Sequence, residues 1–200
     1  MPKWQSSYYV LNKEEQILRV ISGNNRGLQL MTPDGLDTRP TTDRIKETLF
    51  NMIAFDIPDS LFLDLFSGSG QIGIEALSRG SRKAIFVEKD SAAFKCIEKN
   101  IAKAKLSEKS FLYKEDVFSA LNKINEKEPF DFVFMDPPYN NELEKQVLIS
   151  LADKKYISDE TLIIVEASLE TDMDYASDLG FKIIKEKTYK TNKHYFIKRR

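Results

Sequence analysis

Ten consecutive residues, Leu61-Phe62-Leu63-Asp64-Leu65-Phe66-Ser67-Gly68-Ser69-Gly70, constrain this chain more than any other stretch of its 200. An apolar run that takes in one carboxylate, ends at two glycines and gives way to a helical pattern over Gln71 to Arg79 reads as a buried strand feeding a ligand-holding loop. A second apolar run, Phe130-Asp131-Phe132-Val133-Phe134-Met135, is stopped by Asp136-Pro137-Pro138-Tyr139. The first stretch is expected to hold a cofactor and the second to work on a substrate.

Around these two runs, strand and helix patterns alternate. Strands are expected near 61–66, 83–88, 110–114, 130–136 and 161–167, and helices near 71–79, 91–105, 117–125 and 141–152. Such alternation marks right-handed crossovers on a parallel sheet covered on both faces, hence an α/β fold. A short helix near 172–178 precedes Gly180, after which 181–187 and 194–198 alternate as a final strand pair joined by 188–193. Upstream, Arg19 to Leu30 sets two short strand-like runs around a Gly/Asn cluster, a hairpin signal. Ile45, Leu49, Met52 and Ile53 mark a helix that Thr41 or Thr42 caps, with Asp43 suited to its first turn. Residues 1–18 show no sustained period beyond a marginal helix from Lys13 to Leu18.

Composition narrows the setting. A chain of this length with 42% hydrophobic residues suffices for one main domain and a small appendage. The lone Cys96 excludes a disulfide within the chain, no run approaches the roughly 18 apolar residues of a membrane span, and the N-terminus lacks the apolar core of a signal peptide. The expected location is the cytoplasm. One histidine and one cysteine make no zinc site, so no metal is expected, and His194 reads as a strand residue rather than a base. Net charge is −1, yet Lys+Arg outnumber Asp+Glu 7 to 5 in residues 1–46 and 8 to 1 in residues 182–200, against 15 to 25 between them. Basic ends attract phosphate backbones by counterion release, and Arg19 and Arg26 make RNA a candidate ligand. The same C-terminal lysines also suit the wet face of an edge strand.

Gly68-Ser69-Gly70-Gln71-Ile72-Gly73 matches G-x-G-x-x-G, and Glu88 lies 20 residues after Gly68, which is also the spacing of a dinucleotide fingerprint. Asp64 separates the two readings. A carboxylate so near the loop repels a pyrophosphate but accepts from an amino acid ammonium, which S-adenosylmethionine carries without any phosphate. Glu88 suits both ribose hydroxyls under either reading. Asp116 follows the third strand and suits an adenine amino group, with a backbone N–H nearby for a ring nitrogen, or else it caps a helix.

The Asp-Pro-Pro-Tyr segment suits an exocyclic amine on a nucleobase, whose lone pair is delocalised into the ring. Two acceptors, the Asp136 carboxylate and the Pro137 carbonyl, pull on its hydrogens and aim the lone pair at a methyl sulfonium. Prolines at 137 and 138 remove N–H donors and stiffen the turn, and Tyr139 offers a face on which an extruded base stacks.

With both motifs in place the chain resembles the class I S-adenosylmethionine-dependent methyltransferases that modify amino groups. Residues 19–200 go further. Arg19-Val20-Ile21-Ser22-Gly23, Gly27, Gly35-Leu36-Asp37-Thr38-Arg39-Pro40-Thr41-Thr42-Asp43-Arg44, Leu63 to Gly70, Glu75-Ala76-Leu77-Ser78-Arg79-Gly80, Phe86-Val87-Glu88 and Asp136 to Tyr139 together resemble the bacterial small-subunit ribosomal RNA guanine-N2 methyltransferases. The Thr-Arg-Pro-Thr block is the specific part, since Asp-Pro-Pro-Tyr alone is shared with enzymes acting on adenine, cytosine and glutamine amides. The resemblance implies a Rossmann-like α/β fold with a mostly parallel seven-stranded sheet, an antiparallel last strand and helices on both faces. It implies S-adenosylmethionine as cofactor, and an assembled or partly assembled small subunit as partner. A monomer that needs neither metal nor membrane is expected. Cofactor contacts are expected from Asp64, Phe66, Gly68, Gly70, Glu88, Asp116 and Val117, and substrate contacts from Arg26, Arg39, Thr41, Thr42 and Arg44. Catalysis is expected of Asp136, Pro137, Pro138 and Tyr139. The chain then divides into an extension of unassigned role (1–18), a hairpin and helix on the substrate side (19–60) and a methyltransferase domain (61–200). Residues 1–18 depart from the pattern, because similar proteins begin near Arg19.

Three other readings compete. An amino-methyltransferase acting on another RNA or on DNA, at adenine N6 or cytosine N4, calls for a larger base-reading domain than about 60 N-terminal residues provide. A nicotinamide-dependent oxidoreductase is weakened by Asp64 and by the lack of a substrate domain. An RNA-binding module with a vestigial fold is the non-catalytic reading.

Overall fold

The computed structural model describes residues 18–33, 43–139 and 142–200. Strand β1 (Leu61–Leu65) is buried at all five positions, Asp64 included, because it has strand neighbours on both edges and packed layers on both faces. It pairs in parallel with β2 (Lys83–Val87) and β4 (Phe132–Met135), and these pair outward with β3 (Ser110–Tyr113) and β5 (Leu162–Ala167). The chain then reverses, and β7 (Lys193–Arg199) lies antiparallel between β5 and the edge strand β6 (Phe181–Thr188). The sheet order is β3-β2-β1-β4-β5-β7-β6, and its seven mostly parallel strands with an antiparallel last strand are as the resemblance implies.

Alternate side chains leave each strand on opposite faces, and two separate cores result. Phe62, Phe86, Phe132, Phe134 and Ile164 pack with α1 (Asp43–Met52), α2 (Gln71–Ser78) and α3 (Ser91–Ala104). Leu63, Leu65, Ile85, Val133, Met135 and Ile163 pack with α4 (Val117–Lys123) and α5 (Leu143–Ala152) on the other face. Asp90 caps α3 by accepting from Ala92 N and Ala93 N, and Asp116 caps α4. Beyond Phe181, β6 is exposed along its length and carries Lys182, Lys185 and Lys187, as an edge strand in water does. Among the described residues no helix is long and apolar enough to cross a membrane.

Three local expectations change. The segment near 172–178 is a single 3₁₀ turn, Asp174–Ser177. Helix α1 keeps Leu49 of the expected stripe buried, and Ile53 just past its end, but Ile45 and Met52 are only half-buried while Phe50 and Lys46 are fully buried, the Lys46 ammonium donating to the Arg19 carbonyl at 2.5 Å. The hairpin at 19–30 is not a two-stranded ribbon. Its arms meet in one antiparallel bridge, Arg19 to Gln29, with Val20 N bonded to Leu28 O at 2.9 Å and Leu30 N to Leu18 O at 2.7 Å. The reason is Glu75 of α2, which is fully buried and accepts from Ile21 N at 2.7 Å and Ser22 N at 3.0 Å. Two donors at the turn end of the hairpin go sideways to a helix. The proposed caps Thr41 and Thr42 and the helix within 13–18 lie outside the described residues, Leu18 excepted.

Candidate active site

Crossovers from β1 run to β2 and β3 on one side, whereas β4 leads to β5 on the other, so the carboxyl ends of β1 and β4 flank the point where strand order reverses. Open α/β sheets bind ligands there. A cavity of about 600 Å³ occupies this place, within the roughly 300–1,000 Å³ of small-molecule sites. Its wall takes in Asp64, Phe66, Gly68, Glu88 and Val117 on one side and Asp136, Pro137, Pro138 and Tyr139 on the other. The two sequence motifs, more than 60 residues apart in the chain, thus share one chamber.

The loop after β1 is held in an unusual backbone. Phe66, a non-glycine residue, takes φ 59°, a left-handed conformation that costs on the order of 1–3 kcal/mol. Ser67 fixes it, its hydroxyl donating to the Asp64 carbonyl at 2.7 Å and accepting from Val87 N at 3.0 Å. Gly70 begins α2 at φ 77°, where an added Cβ would also press on Ile97 at 3.2 Å. Glu88, at the end of β2, accepts from Gly68 N at 2.9 Å and from Asp90 N at 2.8 Å, so the proposed ribose acceptor also ties the glycine loop to the next crossover.

Asp64 is almost wholly buried and accepts from Gly73 N at 2.9 Å. Burial pushes its pKa up to about 7, the Gly73 hydrogen bond opposing and the Glu88 charge adding to the rise. Helix α2 reaches this carboxylate only because residue 73 is glycine. A Cβ there would stand 2.3 Å from Phe86 Cε1 and 3.1 Å from Asp64 Oδ2.

At the third strand the arrangement differs from expectation in one respect. Asp116 Oδ1 accepts from Phe118 N and Ser119 N, both at 3.0 Å, and Ser119 Oγ bonds to its other oxygen. Those bonds, the Ser119 hydroxyl first, hold its carboxyl below the usual carboxylate range. Its neighbours Glu115 and Val117, not Asp116 itself, line the cavity.

Behind Asp136 stands a cluster that sequence reasoning missed. Asp136 follows Met135, which pairs with Val165, so it lies level with Glu166 of β5, and Glu166 pairs with His194 of β7. His194 Nε2 is 3.1 Å from Glu166 Oε2, Asn192 Nδ2 donates to Glu166 Oε1, and both partners are buried. Burial raises the Asp136 pKa well above the carboxylate range, and the Glu166 and Asp64 charges raise it further. The available signal was the period of β7, which places His194 on the same strand face as Phe196 and thus inside.

These features test which cofactor fits. Asp64, Asp136 and Glu166 put three buried or half-buried carboxyls around one chamber, a setting that stabilises a cation and repels pyrophosphate. Among the described residues, four buried side-chain oxygens lack a partner, and three of them, Gln71 Oε1, Glu115 Oε2 and Asn192 Oδ1, belong to cavity residues. All three are available as acceptors. S-adenosylmethionine brings the matching donors: an ammonium, two ribose hydroxyls and an adenine amine beside a sulfonium.

The substrate-side expectations divide. Arg44 is exposed on α1 next to Ile45, which lines the cavity. Arg26 is exposed at the hairpin tip, where Asn25 bonds to Ser78 Oγ and to the Ala104 carbonyl at the carboxyl ends of α2 and α3. Those are the helix ends remote from the glycine loop, so Arg26 stands outside the cavity. Arg39, Thr41 and Thr42 lie outside the described residues. The hairpin arms instead contribute Leu18, Thr32 and Pro33 to the wall.

The fold and the site together define a class I S-adenosylmethionine-dependent methyltransferase. The chain belongs to the family described as Conserved hypothetical protein 95, which matches residues 18–198. It is 39% identical over 154 residues to Ribosomal RNA small subunit methyltransferase D of Escherichia coli K12, covering 76% of each chain. It is 36% identical over 172 residues to the protein of the same name from Haemophilus influenzae, covering 86% of this chain and 88% of that one. The solved structure of the Escherichia coli protein yhhF superposes with a TM-score of 0.79 at 36% identity, over 90% of this chain and 97% of that chain.

Proposed function

We propose that this enzyme methylates the exocyclic N2 amine of a guanine in small-subunit ribosomal RNA, acting on an assembled or partly assembled subunit in the cytoplasm. The observation that carries this reading is Asp136-Pro137-Pro138-Tyr139 at the mouth of a chamber whose far side is built for a cationic cofactor. The names of the relatives support the choice of RNA.

When bound, S-adenosylmethionine supplies an electrophilic methyl group on a sulfonium. The chain supplies the rest. Asp136 accepts one hydrogen of the guanine amine and the Pro137 carbonyl the other, which draws the nitrogen toward a tetrahedral shape with its lone pair free. The amine becomes cationic only as the new bond forms, so Asp136 stabilises the transition state more than the bound substrate. Tyr139, 39% exposed at the rim, offers a ring on which the extruded base stacks. Asp64 and Glu88 hold the ammonium and the ribose. Residues 19–60 serve the substrate side, and the exposed Arg44 supports a path for the RNA backbone along α1.

Mass spectrometry of small-subunit RNA digests from cells with and without this protein provides the test. One N2-methylguanosine is expected to disappear in its absence. A lost methyl group on a ring nitrogen, or on large-subunit RNA alone, overturns the reading.

A further inference from the structure

We propose that Asn192 determines base specificity, its side-chain oxygen accepting the N1–H of the target guanine beside the amine that Asp136 holds. This rests on the guanine-N2 reading above. Asn192 sits in the turn between β6 and β7 that Tyr189 N closes by donating to Asn192 O at 2.8 Å. Its amide is oriented by the neighbouring strand. The Nδ2 group donates to Glu166 Oε1, which turns Oδ1 away from that carboxyl. Glu166 is itself held from the other side by His194 Nε2 at 3.1 Å, and the His194 ring packs edge-on against Phe134 and Phe196. The amide is therefore held by a rigid buried row. Oδ1 is nonetheless buried without a partner among the described residues, in a residue that lines the cavity. On this proposal an N–H of the base in the chamber completes that acceptor.

Guanine supplies that N–H. Its Watson–Crick edge presents three donor hydrogens side by side, two on N2 and one on N1, and the two amine hydrogens are already taken by Asp136 and Pro137. Asn192, Glu166 and Asp136 lie in a row across the ends of β7, β5 and β4. Adenine and cytosine instead place a ring-nitrogen lone pair next to their amines. Against Asn192 Oδ1 that arrangement sets acceptor on acceptor, and the site rejects it.

The test is a cycle of two proteins on two substrates. Wild-type enzyme first methylates small subunits lacking the modification, and mass spectrometry of the digest identifies the guanine. Particles are then reconstituted on ligated RNA carrying guanine or 2-aminopurine at that position; 2-aminopurine keeps the amine but has no N1–H. Single-turnover rates are compared for wild type and Asn192→Leu, with S-adenosylhomocysteine affinity as the measure of an intact fold. Where Asn192→Leu loses that affinity, Asn192→Ala, which removes the acceptor without adding bulk, replaces it. The variant is expected to be slower on guanine by about tenfold or more and unchanged or faster on 2-aminopurine. An equal loss on both substrates, or no loss on guanine, overturns the role of Asn192 while leaving the guanine reading in place. A wild-type product other than N2-methylguanosine removes that reading and this one with it.

Discussion

Asp136 and Asp64 line the same chamber and are asked to do different things. Asp136 gains most in the transition state, so Asp136→Ala is expected to bind S-adenosylhomocysteine normally while losing about a hundredfold or more in turnover. Asp136→Asn keeps one carbonyl acceptor and should retain partial activity. Tyr139→Phe should be nearly silent and Tyr139→Ala impaired, on the proposal that the ring and not the hydroxyl stacks on the base. Wild-type activity for Asp136→Ala in a methyl-transfer assay on small subunits would end this account. Asp64 carries a pH signature, because its pKa in the folded protein is about 7, against about 4 in an unfolded chain. Between these values the unfolded chain holds fewer protons than the folded one. The contribution of Asp64 to stability is therefore complete below about 4, falls as pH rises to 7 and is level above it. Cofactor binding has the opposite slope, since the ammonium needs the ionised form. Affinity for S-adenosylhomocysteine, measured by calorimetry, should rise as pH climbs toward 7, by up to about tenfold per unit, and Asp64→Asn should flatten that rise.

Among the elements, α2 does the most to join the parts. Its amino end forms the cofactor loop, its middle presents Gly73 to Asp64, and its buried Glu75 takes two backbone donors of the hairpin and Arg79 Nε at 2.8 Å. Glu75→Ala leaves those donors and the largely buried Arg79 without their acceptor, and should cost about 3–5 kcal/mol in denaturant unfolding. Gly73→Ala should cost about 1–3 kcal/mol through overpacking against Phe86 and weaken the cofactor as well. The sheet strands were legible in the sequence because a parallel strand buried on both faces is one unbroken apolar run, and the glycine loop because only one kind of backbone turns there. Glu75, Lys46 and Glu166 were not. Each is a charged residue whose partner lies in another element, and no period or local spacing records such a pairing. Asp116 illustrates the converse: the sequence allowed it as a cap or as an adenine contact, and its two oxygens are committed to α4.

Over the whole molecule, charge is sorted by place more than by amount. Carboxyls gather in the cavity, whereas Arg44 on α1 and Lys190, next to the cavity residue Thr191, stand exposed near its mouth. Reversing these two charges should weaken binding to small-subunit RNA and lower the slope of log affinity against log salt by about one for each phosphate no longer neutralised, with cofactor affinity unchanged. Filter binding at several salt concentrations measures this, and Arg26→Glu, remote from the cavity, is the comparison expected to change little. The hairpin has a consequence for how the enzyme divides. Leu18, Thr32 and Pro33 form part of the chamber wall, yet they precede the first strand of the sheet by some distance and are fastened to it by Glu75 and by Asn100, which accepts from Met31 N at 2.8 Å. The sheet by itself thus leaves the chamber wall incomplete. A fragment spanning residues 61–200, mixed with a separate peptide spanning 18–60, would have to rebuild its cofactor chamber by association, so its activity would depend on the concentration of both pieces, as that of a two-subunit enzyme does.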